Sequence, residues 1–171
     1  SELLIVKTLV LFKKSTIMKK ICLFLVIFMN AININAQNMI NPVKGYSPQI
    51  GTTVSMMADL KKRVTKSVVN LNQEEVDFLL DDKANRIGAM ILHLAAVEKY
   101  YQLYTFENRG FNKAEKEKWG VALDLGEKAQ ETIKGKPISY YLDIWDEVRQ
   151  ESLRLLKTKD DKWFKSKVKG S

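Results

Sequence analysis

NRIGAMILHLAAVEKYYQ, Asn85 to Gln102, decides the fold. Its apolar and aromatic residues recur at spacings of three and four rather than two, so the stretch is a helix and not a strand. It starts near Asn85 and runs to about Phe106, where Asn108-Arg109-Gly110 stops it. Met90, His93, Val97, Tyr101 and Tyr104 fall on one stripe, with Ile87, Ile91, Leu94 and Glu98 beside it. His93, the only histidine of the chain, is thereby expected at the interior of a helical bundle or along its rim. A buried imidazole needs a partner for at least one ring nitrogen.

Helical patterns flank this stretch on both sides. A first helix is expected from about Pro48 to Val69, with Ser47 as N-cap and Pro48 in the first turn, where a missing N–H costs nothing. Ile50, Val54, Met57, Val64 and Val68 make its apolar stripe, and Asp59, Lys61, Lys62 and Arg63 its solvated face. The linker Leu71 to Ala84 holds a single turn around Glu74 to Leu79, and its acidic residues lack metal-ligand spacing. A shorter helix is expected within Lys113 to Ile133, weakened by Gly120 and Gly126. Pro137 then marks entry into another long helix, with Ser139 as N-cap and Tyr141, Ile144 or Trp145, Val148, Ser152 and Leu155 as inner stripe. Thr158 followed by Asp161 resembles a capping box for one last turn around Asp160 to Lys165. Three long helices and a fragment, in a chain with only three prolines and no visible repeat, make an antiparallel all-α bundle the natural architecture.

The N-terminal region has the three parts of an export signal. Met18-Lys19-Lys20 is a basic start, Ile21 to Met29 a nine-residue apolar core, and Asn30 to Ala36 a polar stretch ending on a small residue. Met18 is read as the true start, which makes residues 1–17 upstream read-through, residues 18–36 the signal peptide and residues 37–47 a leader. Cleavage is placed between Ala36 and Gln37, although Ile34 departs from the small residue usual at the third position before the cut. Joining Leu3–Phe12 to Ile21–Met29 as one membrane span fails, because Lys13, Lys14, Lys19 and Lys20 interrupt a run that needs roughly 18 apolar residues. The product is expected in the periplasm or secreted, with no stable membrane anchor after cleavage.

Export changes the charge argument. The whole chain carries +8, but without the five lysines and one glutamate of residues 1–36 it holds 23 basic and 19 acidic residues, a net +4. Lysines and arginines alternate with carboxylates along the helices and form no basic stripe, so nucleic acid is not an expected partner. The one cysteine, Cys22, lies inside the signal, which excludes disulfides, thiol nucleophiles and cysteine-based zinc sites from the mature form. No Gly-rich phosphate loop, HExxH or ExxH element is present, and spacing nominates no serine to partner His93. Tyr100, Tyr101 and Tyr104, like Trp119, Trp145 and Trp163, read as core packing first and pocket wall second.

Three strings, IGTTVSMMADLKKRV, DKANRIGAMILHLAAVEKYYQ and KGKPISYYLDIWDEVRQESLRLLKTKDDKWF, in this order and spacing, resemble the DinB-like family (the DinB/YfiT superfamily, DUF664-type), above all its exported members. The resemblance covers roughly Ile50 to Val168 and makes residues 48–171 the bundle domain. It implies a four-helix bundle that in many members holds a divalent metal, zinc or nickel, through three histidines. One comes from the second helix, where His93 stands within IGAMILHLAAVE; the other two form an HxxxH pair on the last long helix. This chain ends at VKGS without that pair, so the last long helix is expected to be missing, the chain to be a C-terminally shortened member, and the two further histidine ligands to lie beyond its end.

The resemblance implies a metal-dependent enzyme of the thiol transferase, isomerase or hydrolase kind, inactive as the 171-residue chain. One imidazole does not hold zinc or nickel, since such sites generally need three protein ligands, and no metal is expected in this chain. The other reading is a non-catalytic helical bundle that binds a small ligand or an envelope partner, and the exposed groove of a missing helix leaves a homodimer open. N-terminal sequencing of exported material should begin at Gln37, open or cyclised to pyroglutamate. Protein that keeps Ser1 and stays in the cytoplasm overturns the export reading.

Overall fold

Helix α1, Pro48–Val68, opens where the sequence places it, at Ser47, but Ser47 does not cap it. In the computed structural model, which describes residues 40–167, the first-turn N–H groups find their acceptor far along the chain. Asp161 Oδ1 accepts from Gln49 N at 3.0 Å and from Ser47 Oγ at 2.5 Å. The last helical turn, α7 (Asp161–Phe164), thus caps the first helix with a carboxylate, which the positive end of the helix dipole favours. The Ser47 hydrogen bond is the main reason that the Asp161 carboxyl is held below its ordinary range. The export signal and the Ala36–Gln37 cut lie outside the described residues.

The described residues contain helices and no strand. Helix α2, Gln73–Asp77, is the expected turn in the linker, and Asn72 and Glu75 close a capping box on it. Helix α3, Ile87–Glu107, ends at Asn108, whose φ of 54° is the left-handed conformation that asparagine tolerates at a helix end. The single helix expected within Lys113 to Ile133 is two, α4 (Lys113–Asp124) and α5 (Gly126–Thr132). Gly120 sits inside α4 without breaking it; the break falls at Leu125, at φ 59°, followed by Gly126 at φ 72°. Positive φ is costly for leucine. Here it accompanies a turn that lets α5 put Ala129 into the core, while Leu125 packs against that core.

Helix α6, Ile138–Lys157, starts directly after Pro137, so Ser139 lies within its first turn and is not its cap. The box expected between Thr158 and Asp161 does not form either. Asp160 is the N-cap of α7, accepting from Trp163 N at 2.8 Å, which leaves Asp161 free to reach α1.

The main packing is α3 against α6, with α4 also against α3. Close approach is set by small residues: Gly88, Ala89, Ala95 and Ala96 of α3 are all buried. A Cβ on Gly88 would stand 2.5 Å from Cε2 of the buried Tyr141, so only glycine lets that ring lie against α3. Tyr141, Trp145 and Val148 fill the α6 side of this core. Helix α1 makes a smaller cluster, Ile50 and Val54 with Leu156, closed by Met57, Phe106 and Trp163.

The inner face of α3 is not the one its spacing suggests. Met90, Leu94 and Tyr101 are 45%, 37% and 58% exposed, whereas Ala89, Ile91, Ala95 and Leu103 are buried. An apolar helix has more than one face that could be buried, and the small residues win because they allow the helix axes to approach most closely. Of the other expected core residues, Ile91, Trp145 and Val148 are buried, Met57 and Val97 half-buried, and Leu156 takes the place expected for Leu155. Trp145 is 4% exposed at the centre of the α3–α6 contact, so Trp145→Ala should cost about 3 to 5 kcal/mol. A thermal midpoint unmoved by that substitution removes Trp145 from the core.

Candidate functional site

One carboxylate stands among the helix contacts of this bundle. Glu98 Oε1 accepts from Arg149 Nε at 2.7 Å and Ser152 Oγ at 2.6 Å. Glu98 Oε2 accepts from Arg149 Nη2 at 2.8 Å and Trp145 Nε1 at 3.0 Å. The side chains of Arg149 and Glu98 are only 9% and 13% exposed. The remaining guanidinium nitrogen, Nη1, donates to the Met57 carbonyl of α1 at 2.6 Å. Gln102 extends the network, donating from Nε2 to Val148 O at 2.7 Å and Ser152 Oγ at 2.9 Å. Burial pushes the Glu98 carboxyl up, but the donors of Arg149, Ser152 and Trp145 outweigh it and hold the group below its ordinary range.

Sequence reasoning gave Glu98 no role and placed Ser152 only as packing. The signal that was available is chemical. Glu98 and Arg149 are opposite charges within apolar patterns of two long helices, and a charge on such a face demands a partner.

Over this network opens a cleft of about 520 Å³ between α1, the C-terminal half of α3 and α7. Met57, Tyr101, Phe106, Leu156 and Trp163 contribute to its walls, and Glu98, Gln102 and Ser152 lie at its polar side. Phe106 and Trp163 stack with ring centroids 4.9 Å apart. Lys159 Nζ lies 5.7 Å and 5.4 Å from the two centroids, a cation held against the aromatic wall. Because each Glu98 oxygen already accepts two hydrogen bonds, this carboxylate is a structural acceptor and not a free base.

His93 lies apart from the cleft, half-buried where α3 meets α4. Its Nδ1 is 2.9 Å from the Ala122 carbonyl oxygen. A carbonyl only accepts, so Nδ1 is the donor in this contact, which leaves Nε2 as the ring's other nitrogen. Helical spacing places His93 next to Met90 and Val97, at the edge of the exposed side of α3. Among the described residues no group of three or more histidine, cysteine or carboxylate side chains could hold a metal ion. No helix among them is long and apolar enough to cross a membrane. No protein-family model matches the chain, and no curated protein matches it.

The Glu98 pair generates a pH prediction. A carboxyl whose folded pKa is lowered stabilises the fold fully above its ordinary pKa of about 4.3 and loses that contribution as pH falls through the lowered value. Glu98→Gln leaves Arg149 buried without its counter-charge and should cost about 3 to 5 kcal/mol at neutral pH. Urea unfolding of both proteins should show the gap narrowing as pH drops below about 4. A gap of constant size from pH 7 to pH 3 would show that the charge of Glu98 contributes nothing.

Proposed function

We propose that the chain is an exported DinB-like protein of the four-helix-bundle kind, and that a form with the full ligand set is a metal-dependent enzyme. The observation that carries the reading is the contact of His93 Nδ1 with the Ala122 carbonyl oxygen at 2.9 Å. A backbone carbonyl that holds one ring nitrogen and leaves the other as lone-pair donor is the support typical of metal-binding histidines. His93 also stands at the position the family resemblance gives to the first ligand, beside the open face of α3. The described residues fit one ligand and do not complete the centre, so the reading requires two further histidines on a helix following residue 171.

The class of reaction follows from the resemblance: transfer or isomerisation of a low-molecular-weight thiol, or hydrolysis. A bound divalent metal would lower the pKa of a coordinated thiol or water. What the chain itself contributes is the orientation of one imidazole beside an apolar face.

The cleft over Glu98 favours a second reading, a non-catalytic bundle that binds a small ligand or an envelope partner. Its aromatic walls and saturated polar floor suit a mostly apolar ligand better than one that must be protonated or deprotonated.

Metal analysis tests the first reading. The 171-residue chain should retain no stoichiometric zinc or nickel after dialysis, and His93→Ala should leave its metal content unchanged. In a form extended by a helix carrying HxxxH, metal should bind, and His93→Ala should abolish it, because two imidazoles leave the site under-coordinated. Undiminished metal in that variant excludes His93 as a ligand and leaves the second reading in place.

A further inference from the structure

Two buried polar atoms lie outside both the cleft and the His93 corner. Tyr141 Oη and Asp77 Oδ1 are closed from solvent, and neither has a hydrogen-bond partner among the described residues. Tyr141, 1% exposed, stands in the first turn of α6, and Asp77 is the last residue of α2. Buried polar groups without partners are rare, because each forfeits the bond it would otherwise make to water.

Two connections bring these atoms to one corner of the bundle. Asp77 Oδ2 accepts from Gly135 N at 2.8 Å, just ahead of α6, and the Asp77 carbonyl accepts from Arg86 Nε at 2.8 Å, just ahead of α3. The Tyr141 ring lies against Gly88, at the start of that same α3. Burial and the neighbouring charge of Asp77 push the Tyr141 hydroxyl up, so it keeps its proton.

The needs of the two atoms are complementary. A carboxylate oxygen accepts, and the Tyr141 O–H has a proton to donate, yet the two do not bond to each other. The Lys136 N–H approaches the phenol oxygen but is itself a donor, so the O–H still lacks an acceptor. Arg86 does not serve Asp77 Oδ1 either, because its Nε and Nη1 donate to the Asp77 and Gln130 carbonyls. A metal cation does not suit the site: the hydroxyl has a proton to present, and the Arg86 guanidinium lies beside Asp77. A water molecule accepts from a hydroxyl and donates to a carboxylate, and two polar partners are enough to hold it in a buried site.

We propose that one buried water bridges Tyr141 Oη and Asp77 Oδ1, at the corner where the end of α2 meets the starts of α3 and α6. Both atoms are already closed from solvent, so a segment following residue 171 does not reach them, and the site stands apart from the metal reading. The water ties α2 to the first turn of α6, beside the glycine that admits the Tyr141 ring.

Tyr141→Phe tests the bridge, because it keeps the ring and removes only the hydroxyl. Oxygen-17 relaxation dispersion of the solvent counts long-lived waters, and urea unfolding reads the folding equilibrium. The variant should lose one long-lived water, and its folding constant should fall about tenfold, since Asp77 Oδ1 is left short of a partner. In an Asp77→Asn background the same substitution should change the constant by less than about threefold. A folding constant that rises shows a hydroxyl without a partner and overturns the bridge. An unchanged water count with lowered stability shows a direct Tyr141–Asp77 bond and overturns the water site, and an effect undiminished in the Asp77→Asn background separates the two residues and does the same.

Discussion

Three long helices meet at one carboxylate. Glu98 projects from α3, receives four hydrogen bonds from α6, and through Arg149 is connected to the Met57 carbonyl of α1. The other anchors of helix α1 are a small apolar cluster with α6 and α7, Val64 and Val68 in the main core, the Asp161 cap at its N-terminus, and Lys61 paired with the exposed Asp146. An exposed ion pair of that kind contributes about 1 kcal/mol or less, whereas a buried, multiply bonded pair is strongly destabilising when broken. The position of α1, and with it the width of the cleft, therefore depends on the Glu98–Arg149 pair more than on any surface contact.

The other constraint is steric. Gly88 and the alanines of α3 let α6 approach closely, and the large apolar side chains Met90, Leu94 and Tyr101 fall on another side of the helix. They are turned outward. The exposed stripe, and the placing of His93 at its edge, follow from where the small residues stand, and the apolar outer face is the counterpart of a tight inner one.

Much of this was legible in the sequence. The long helices end within a residue or two of where periodicity, Pro48, Pro137 and Asn108 place them, because each boundary rests on local chemistry. What was not legible depends on partners distant in the chain. Ser47 reads as a self-sufficient N-cap, yet its hydroxyl goes to Asp161, 114 residues on. Leu125 gives no hint of a positive φ, since that conformation is imposed by the docking of α5. The inner face of α3 was misread for the same reason: every face was apolar, and only the approach of α6 decides among them. For the site, the position of His93 at a rim was accessible from spacing, but its bond to Ala122 was not, because α4 had no assigned place against α3.

His93 and Glu98 are five residues apart on one helix, about 140° around its axis and about 7.5 Å along it. They cannot belong to one constellation, and their states differ in kind. Glu98 is saturated and held as an anion, so it takes part in structure alone. His93 keeps one nitrogen free and is fixed by the other, so it is the ring that can still form a bond. Between them on the outer side of α3 lie Leu94, Val97 and Tyr101, the uncovered stripe. That stripe borders His93 on one side and, through Tyr101, the aromatic cleft on the other.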